Sequence, residues 1–127
     1  MLLHIALTII DPVEIENFYK EVLQLTIRRK FLISSEMSQN IFQTEEAAEI
    51  YVMENESVQF EIFISCEKEK KVFSHVCLAY REAKDIYEKA VALGYKAMIK
   101  RNPGNDTYFI RDKNENLFEI KDIQVVN

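Results

Sequence analysis

Two stretches of this 127-residue chain are versions of each other, and that repeat limits the fold more than any other feature. His4-Ile5-Ala6-Leu7 returns 71 residues later as His75-Val76-Cys77-Leu78. Tyr51-Val52-Met53 through Phe60-Glu61-Ile62 returns as Tyr108-Phe109-Ile110 through Phe118-Glu119-Ile120. The second version has one more residue between its halves, which a hairpin loop absorbs. One helical pattern lies between each His and its Glu. The chain therefore reads as a single domain over 1–127, with a first module over 1–64, a charged linker over 65–71 and a second module over 72–127.

Each module reads as βαβββ. Residues 2–10 alternate as a strand. Asp11 is expected to cap a helix, with Pro12 at its first position and Glu14 closing an Asp-x-x-Glu capping box. Ile15, Phe18, Tyr19, Val22 and Leu23 form its apolar stripe. Strands follow near 26–34, 49–54 and 58–64, with a polar loop between the first two. The second module repeats the order with a strand at 74–80 and a helix striped by Ala83, Ile86, Tyr87, Ala90 and Val91. Gly94 ends that helix in a left-handed turn, and strands near 96–101, 106–111 and 117–122 complete the unit.

Alternation then sorts side chains by face. Leu3, Ile5, Leu7 and Ile9 suit packing on the helix, which leaves His4, Ala6 and Thr8 on the other face. Val76, Leu78 and Tyr80 likewise oppose His75, Cys77 and Ala79. Phe60, Ile62 and Ile64 oppose Gln59, Glu61 and Phe63, and Phe118 and Ile120 oppose Leu117, Glu119 and Lys121. Both His and both Glu thus turn away from the helices, with small residues beside each His. A lone strand His or Glu is ordinarily a surface or packing residue. Here the chain's two histidines occupy the same repeat position, and each repeat carries Phe-Glu-Ile. Two neutral imidazoles and two carboxylates balance a divalent ion, so a metal site is the expectation. A duplicated unit that keeps a His and a Glu for packing alone is the competing reading.

Composition removes other classes. The apolar runs fall short of the roughly 20 residues of a membrane span. The start of the chain shows no basic region or cleavage site of a secretory leader, and Cys66 and Cys77 make no disulfide framework or zinc ribbon. A reduced, cytoplasmic protein is expected. With 16 Lys+Arg against 21 Asp+Glu, the net charge of −5 disfavours nucleic acid as a partner. Arg28-Arg29-Lys30 and Lys68-Glu69-Lys70-Lys71 read as solvated.

Leu2-Leu3-His4 through Leu7, Asn17-Phe18-Tyr19-Lys20-Glu21-Val22-Leu23, Ser74-His75-Val76 through Leu78, and Arg111-Asp112-Lys113-Asn114-Glu115-Asn116-Leu117-Phe118-Glu119-Ile120 resemble recurring segments of the vicinal oxygen chelate superfamily. Within it the glyoxalase I (lactoylglutathione lyase) branch is the nearest resemblance, and it spans essentially the whole chain. The resemblance implies an α+β fold in which two βαβββ modules form a curved, cup-shaped mixed sheet with helices outside. It implies a metal set of His4, Glu61, His75 and Glu119, with Glu119 first and Glu61 second as the catalytic base. One divalent ion (Ni, Zn, Co or Mn) would stabilise an enediolate formed from a small vicinal-oxygen substrate. A homodimer is common in the family, so one chain's His4 and Glu61 could meet another's His75 and Glu119.

The chain departs from that pattern at several places. Asp112-Lys113-Asn114-Glu115-Asn116 replaces Asp-Pro-Asp-Gly-Asn, and Gln24 replaces a Gly. Thr8 and Ser65 stand where glutathione-using members carry an Arg and an Asn, so poor turnover with glutathione is expected. Alternatives of the same fold are an Fe(II) extradiol-type dioxygenase using His4, His75 and Glu119, a fosfomycin-type thiol transferase, a methylmalonyl-CoA-type epimerase, and a metal-free drug-binding cup of the bleomycin-resistance kind. Cys77 beside His75 reads as packing. Phe63, Tyr108 and Phe109 are candidate wall residues, and Arg111 and Lys121 candidate anion contacts.

Overall fold

The computed structural model describes residues 1–67 and 73–123. Residues 68–71 of the expected linker, the start of the second module at 72, and its end at 124–127 lie outside the described residues. The first module contains β1 (Ile5–Ile9), a π-type helix over Ile15–Lys20, β2 (Thr26–Ile33), α1 (Ser35–Phe42), β3 (Ala48–Glu54) and β4 (Gln59–Ile64). The second contains β5 (Val76–Tyr80), α2 (Ala83–Ala92), β6 (Ala97–Lys100), β7 (Thr107–Arg111) and β8 (Leu117–Asp122). Each module makes one four-stranded mixed sheet, in the orders β1-β4-β3-β2 and β5-β8-β7-β6. The first strand of each runs parallel to the last, and the remaining pairs are antiparallel. The fold is α+β, built from two equivalent sheets. Among the described residues no helix is long and apolar enough to cross a membrane.

Local chemistry explains the elements and the departures from expectation. Asp11 does begin the first helical turns, its Oδ1 accepting the Val13 amide at 3.0 Å. Glu14 makes no capping box. It is 2% exposed, and its carboxylate accepts the Tyr95 hydroxyl and the Lys113 amide, both from the second module. The helix then widens: Glu21 and Leu23 donate to carbonyls five residues back, at Glu16 and Phe18. Gln24 closes it at φ 60°, and Glu115 takes φ 70° in the 112–116 turn, so both stand-ins for glycine adopt the left-handed conformation glycine favours. Gly94, at φ 82°, ends α2 as expected, with the Tyr95 amide reaching back to the Ala90 carbonyl.

The loop expected between the first module's early strands contains α1 instead. Ser34 caps it by accepting the Met37 amide at 3.1 Å. Met37, Ile41 and Phe42 remain exposed, so no buried stripe advertised this helix. Ser34→Ala is expected to cost about 1 kcal/mol, read from urea unfolding, because one orphan amide loses its acceptor. Val91 and Leu3 also leave their expected sets: they are 49% and 71% exposed rather than packed. The three basic residues Arg28, Arg29 and Lys30 are exposed, as their charge predicts.

One core joins the modules. Phe18 and Tyr19 on the π-type helix are fully buried, and Phe18 packs against Tyr19, Tyr95 and Phe118 with ring centroids 4.9–5.5 Å apart. Phe60 of β4 meets Phe118 of β8 at 6.2 Å. The apolar faces of both sheets thus share one core with the first helix and α2. A polar latch closes one end: Asp112 accepts from Tyr19 Oη at 2.7 Å, and Asn114 and Asn116 donate to the Thr8 carbonyl at 2.6 and 2.9 Å. Burial pushes the Asp112 carboxyl above its ordinary value, against the hydrogen bonds it accepts from the Asn116 side chain, Tyr19 Oη and the Asn116 and Asn114 backbone amides.

Candidate metal centre

Back-to-back packing decides where the repeated His and Glu residues go. Phe60 and Phe118 enter the core, so their neighbours Glu61 and Glu119 point from the opposite face of each sheet. His4 and His75 each lie one residue before their strand, not within it as the alternation suggested, and both are exposed. Each still reaches its Glu, because β1 pairs with β4 and β5 with β8 in the same register: Ala6 opposes Glu61 and Cys77 opposes Glu119. His4 Nε2 lies 3.4 Å from Glu61 Oε1, and His75 Nε2 lies 3.2 Å from Glu119 Oε1. Both Glu side chains retain 18% exposure.

The four candidate ligands are therefore two pairs on separate outward faces. Among the described residues no cluster of three or more His, Cys, Asp or Glu groups stands ready to hold a metal within the chain. Each pair brings together one imidazole and one carboxylate.

The donor chemistry around His75 fits a cation. His75 Nδ1 lies 2.8 Å from the Phe73 carbonyl, which can only accept, so Nδ1 carries the proton. In the neutral ring Nε2 then directs a lone pair at the Glu119 carboxylate. A protonated ring would donate Nε2–H to the carboxylate, and a divalent cation would take that proton's place between the same two atoms; orientation of a His through its other nitrogen is how metal ligands are set.

The halves differ in their neighbours. Lys121 Nζ approaches Glu119 Oε2 at 3.4 Å, whereas the equivalent place beside Glu61 holds Phe63. Cys77 lies next to Glu119 in register, and its partial burial, followed by the charge of Glu119, pushes its thiol up. At neutral pH it stays protonated, unlike a nucleophilic thiolate. Of the other candidates, Tyr108 is buried against Tyr87 in the core, and Arg111 holds the 112–116 turn through the Glu115 carbonyl at 2.7 Å. Phe63 lines a cavity with Phe42, and Phe109 lines the face of the second sheet.

Residues 1–120 match the family model of the Glyoxalase/Bleomycin resistance protein/Dioxygenase superfamily. The chain belongs to that superfamily. No protein of curated function matches its sequence significantly. Among solved structures, the trypanothione-dependent glyoxalase I of Leishmania major superposes with a TM-score of 0.77 at 14% identity, over 99% of this chain and 88% of that one. The fosfomycin resistance protein FosX of Listeria monocytogenes gives 0.73 at 13% identity, over 96% and 92%. A glutamate-to-glutamine mutant of FosX, complexed with Mn(II) and 1S,2S-dihydroxypropylphosphonic acid, gives 0.75 at 15% identity, over 95% and 90%. At these identities the likeness is one of fold. It places this superfamily member beside relatives of more than one chemistry, one of them with a divalent metal.

Proposed function

We propose that this superfamily member is a divalent-metal-dependent lyase or isomerase of the glyoxalase I type, acting on a small vicinal-oxygen substrate. Its site forms between two copies of the chain: His4 and Glu61 of one face His75 and Glu119 of the other. The observation that carries this reading is the matched geometry of the two His–Glu pairs, since a packing relic has no need to keep both carboxylates on both imidazoles. That match also favours four ligands over the three of a dioxygenase or thiol transferase, in which Glu61 would be spare. Ni, Zn, Co, Mn and, in the dioxygenase alternative, Fe(II) all suit a donor set of two nitrogens and two oxygens.

When bound, the ion supplies a Lewis acid that polarises two neighbouring substrate oxygens and acidifies the adjacent C–H. The chain's own groups do the rest. His4 and His75 set the position of the substrate's reactive end, and the Phe73 carbonyl fixes the ring of His75. Glu119 takes the proton, with Lys121 holding its second oxygen in place while the first turns to the substrate. Glu61 is the pseudo-symmetric second carboxylate.

Glu119→Gln tests that role. The amide keeps the size and a weak donor oxygen but cannot accept the proton. Metal affinity is expected to fall modestly, while the rate of substrate C–H exchange into deuterated solvent, followed by NMR with methylglyoxal–thiol hemithioacetals, falls at least about 100-fold. Equal loss of both would make Glu119 a ligand alone.

A further inference from the structure

The face that carries Glu61 continues into a cavity of about 230 Å³ between the first sheet and α1. Phe63 follows Glu61 on the same side of β4, so the cavity begins roughly 6–7 Å from that carboxylate. Phe42, from the last turn of α1, closes over Phe63 edge-on, with centroids 5.4 Å apart at 78°. Ala6 and Thr8 form the floor from β1. The far wall is Glu46. Its two oxygens accept from Ser65 Oγ and the Cys66 amide, each at 2.9 Å, which fixes the carboxylate in place. It is the one charged side chain among the described residues lining the cavity, and no described cation pairs with it.

We propose that this cavity is a substrate subsite for an ammonium group carried on a short apolar body. The apolar part lies between Phe42 and Phe63, and the ammonium donates to Glu46. A carboxylate tail is rejected there: it would meet a like charge, and the Ser65 hydroxyl that could have served it already donates to Glu46. The substrate class therefore rests on the proposed function above, in which the opposite, vicinal-oxygen end reaches His4 and Glu61. The subsite itself uses only residues of the first module and the start of the linker, and needs no metal.

Two probes of similar body and opposite charge test it: phenethylamine and 3-phenylpropionate, titrated into the full chain without added metal and followed by calorimetry and NMR. Phenethylamine is expected to bind at least about tenfold more tightly, and Glu46→Gln to remove that preference, as loss of one charge-assisted hydrogen bond requires. Equal binding of the two probes to the wild-type chain, or an amine affinity that Glu46→Gln leaves unchanged, overturns the subsite. The same titrations on His75→Ala keep the two readings apart. A persistent amine preference in that variant supports the subsite even where metal uptake fails, and equal binding of the two probes by a wild-type chain that does take up metal overturns the subsite alone.

Discussion

His75→Ala is expected to lower divalent-metal affinity by about 100-fold or more, leaving the purified protein essentially metal-free after dialysis. The substitution removes one of two imidazoles and leaves three donors, and Lys121 already offsets the charge of one of them, Glu119. His75 is exposed and sits ahead of its strand, so the fold loses little: its contacts are one carboxylate and one carbonyl. Elemental analysis after incubation with Ni, Co, Mn, Zn and Fe(II) reads the effect, with thermal melts as the control for folding. Metal content equal to wild type would show that the imidazole is not a ligand.

Phe18→Ala is expected to cost about 3–5 kcal/mol of folding stability. The ring is fully buried and touches Tyr19 beside it and Tyr95 and Phe118 from the second module, so its removal leaves a void where the two sheets meet. Against a typical total of roughly 5–15 kcal/mol, that is a large share of what keeps the chain folded. Urea unfolding is expected to remain one transition shifted to lower denaturant, because the rings of both modules share this core. Two separate transitions, or a loss below about 1.5 kcal/mol, would mean that the modules hold themselves together independently of this contact.

The repeat made most of this legible before any coordinates. Alternation put Phe60 and Phe118 on one side and Glu61 and Glu119 on the other, while the register of each sheet comes from the strand pairing. Alternation also turned each His away from the helices, although both histidines fall just outside the regular strand and their pairing with the Glu strands comes from the sheet order. What alternation could not supply is how two sheets pack. That the Phe faces meet each other, and so separate the two His–Glu pairs, depends on contacts between residues such as Phe18 and Phe118, which lie far apart in the chain. Glu14 shows the same limit. Its spacing from Asp11 matches a local cap, yet its partners are Tyr95 and Lys113. A buried carboxylate is drawn to whichever donors the fold brings near, and those donors came from the other module. The helix α1 escaped notice for another reason: its apolar residues stay exposed, so it carries no stripe, and only Ser34 marks its start. Glu46 has no motif of its own. It becomes a wall only because Ser65 and the Cys66 amide, nineteen and twenty residues on, fold back to hold it.

The shared site between two copies is tested most directly by complementation. His4→Ala and His75→Ala each spoil both sites of a homodimer, since every site needs one half from each chain. Co-expressed and purified as a mixed dimer, they regain one intact site: His4 and Glu61 come from the His75→Ala chain, and His75 and Glu119 from the His4→Ala chain. The expected result is metal uptake restored to about half the wild-type content in the mixed dimer, with neither homodimer binding. A mixed dimer that takes up no more metal than the two homodimers would contradict the shared site.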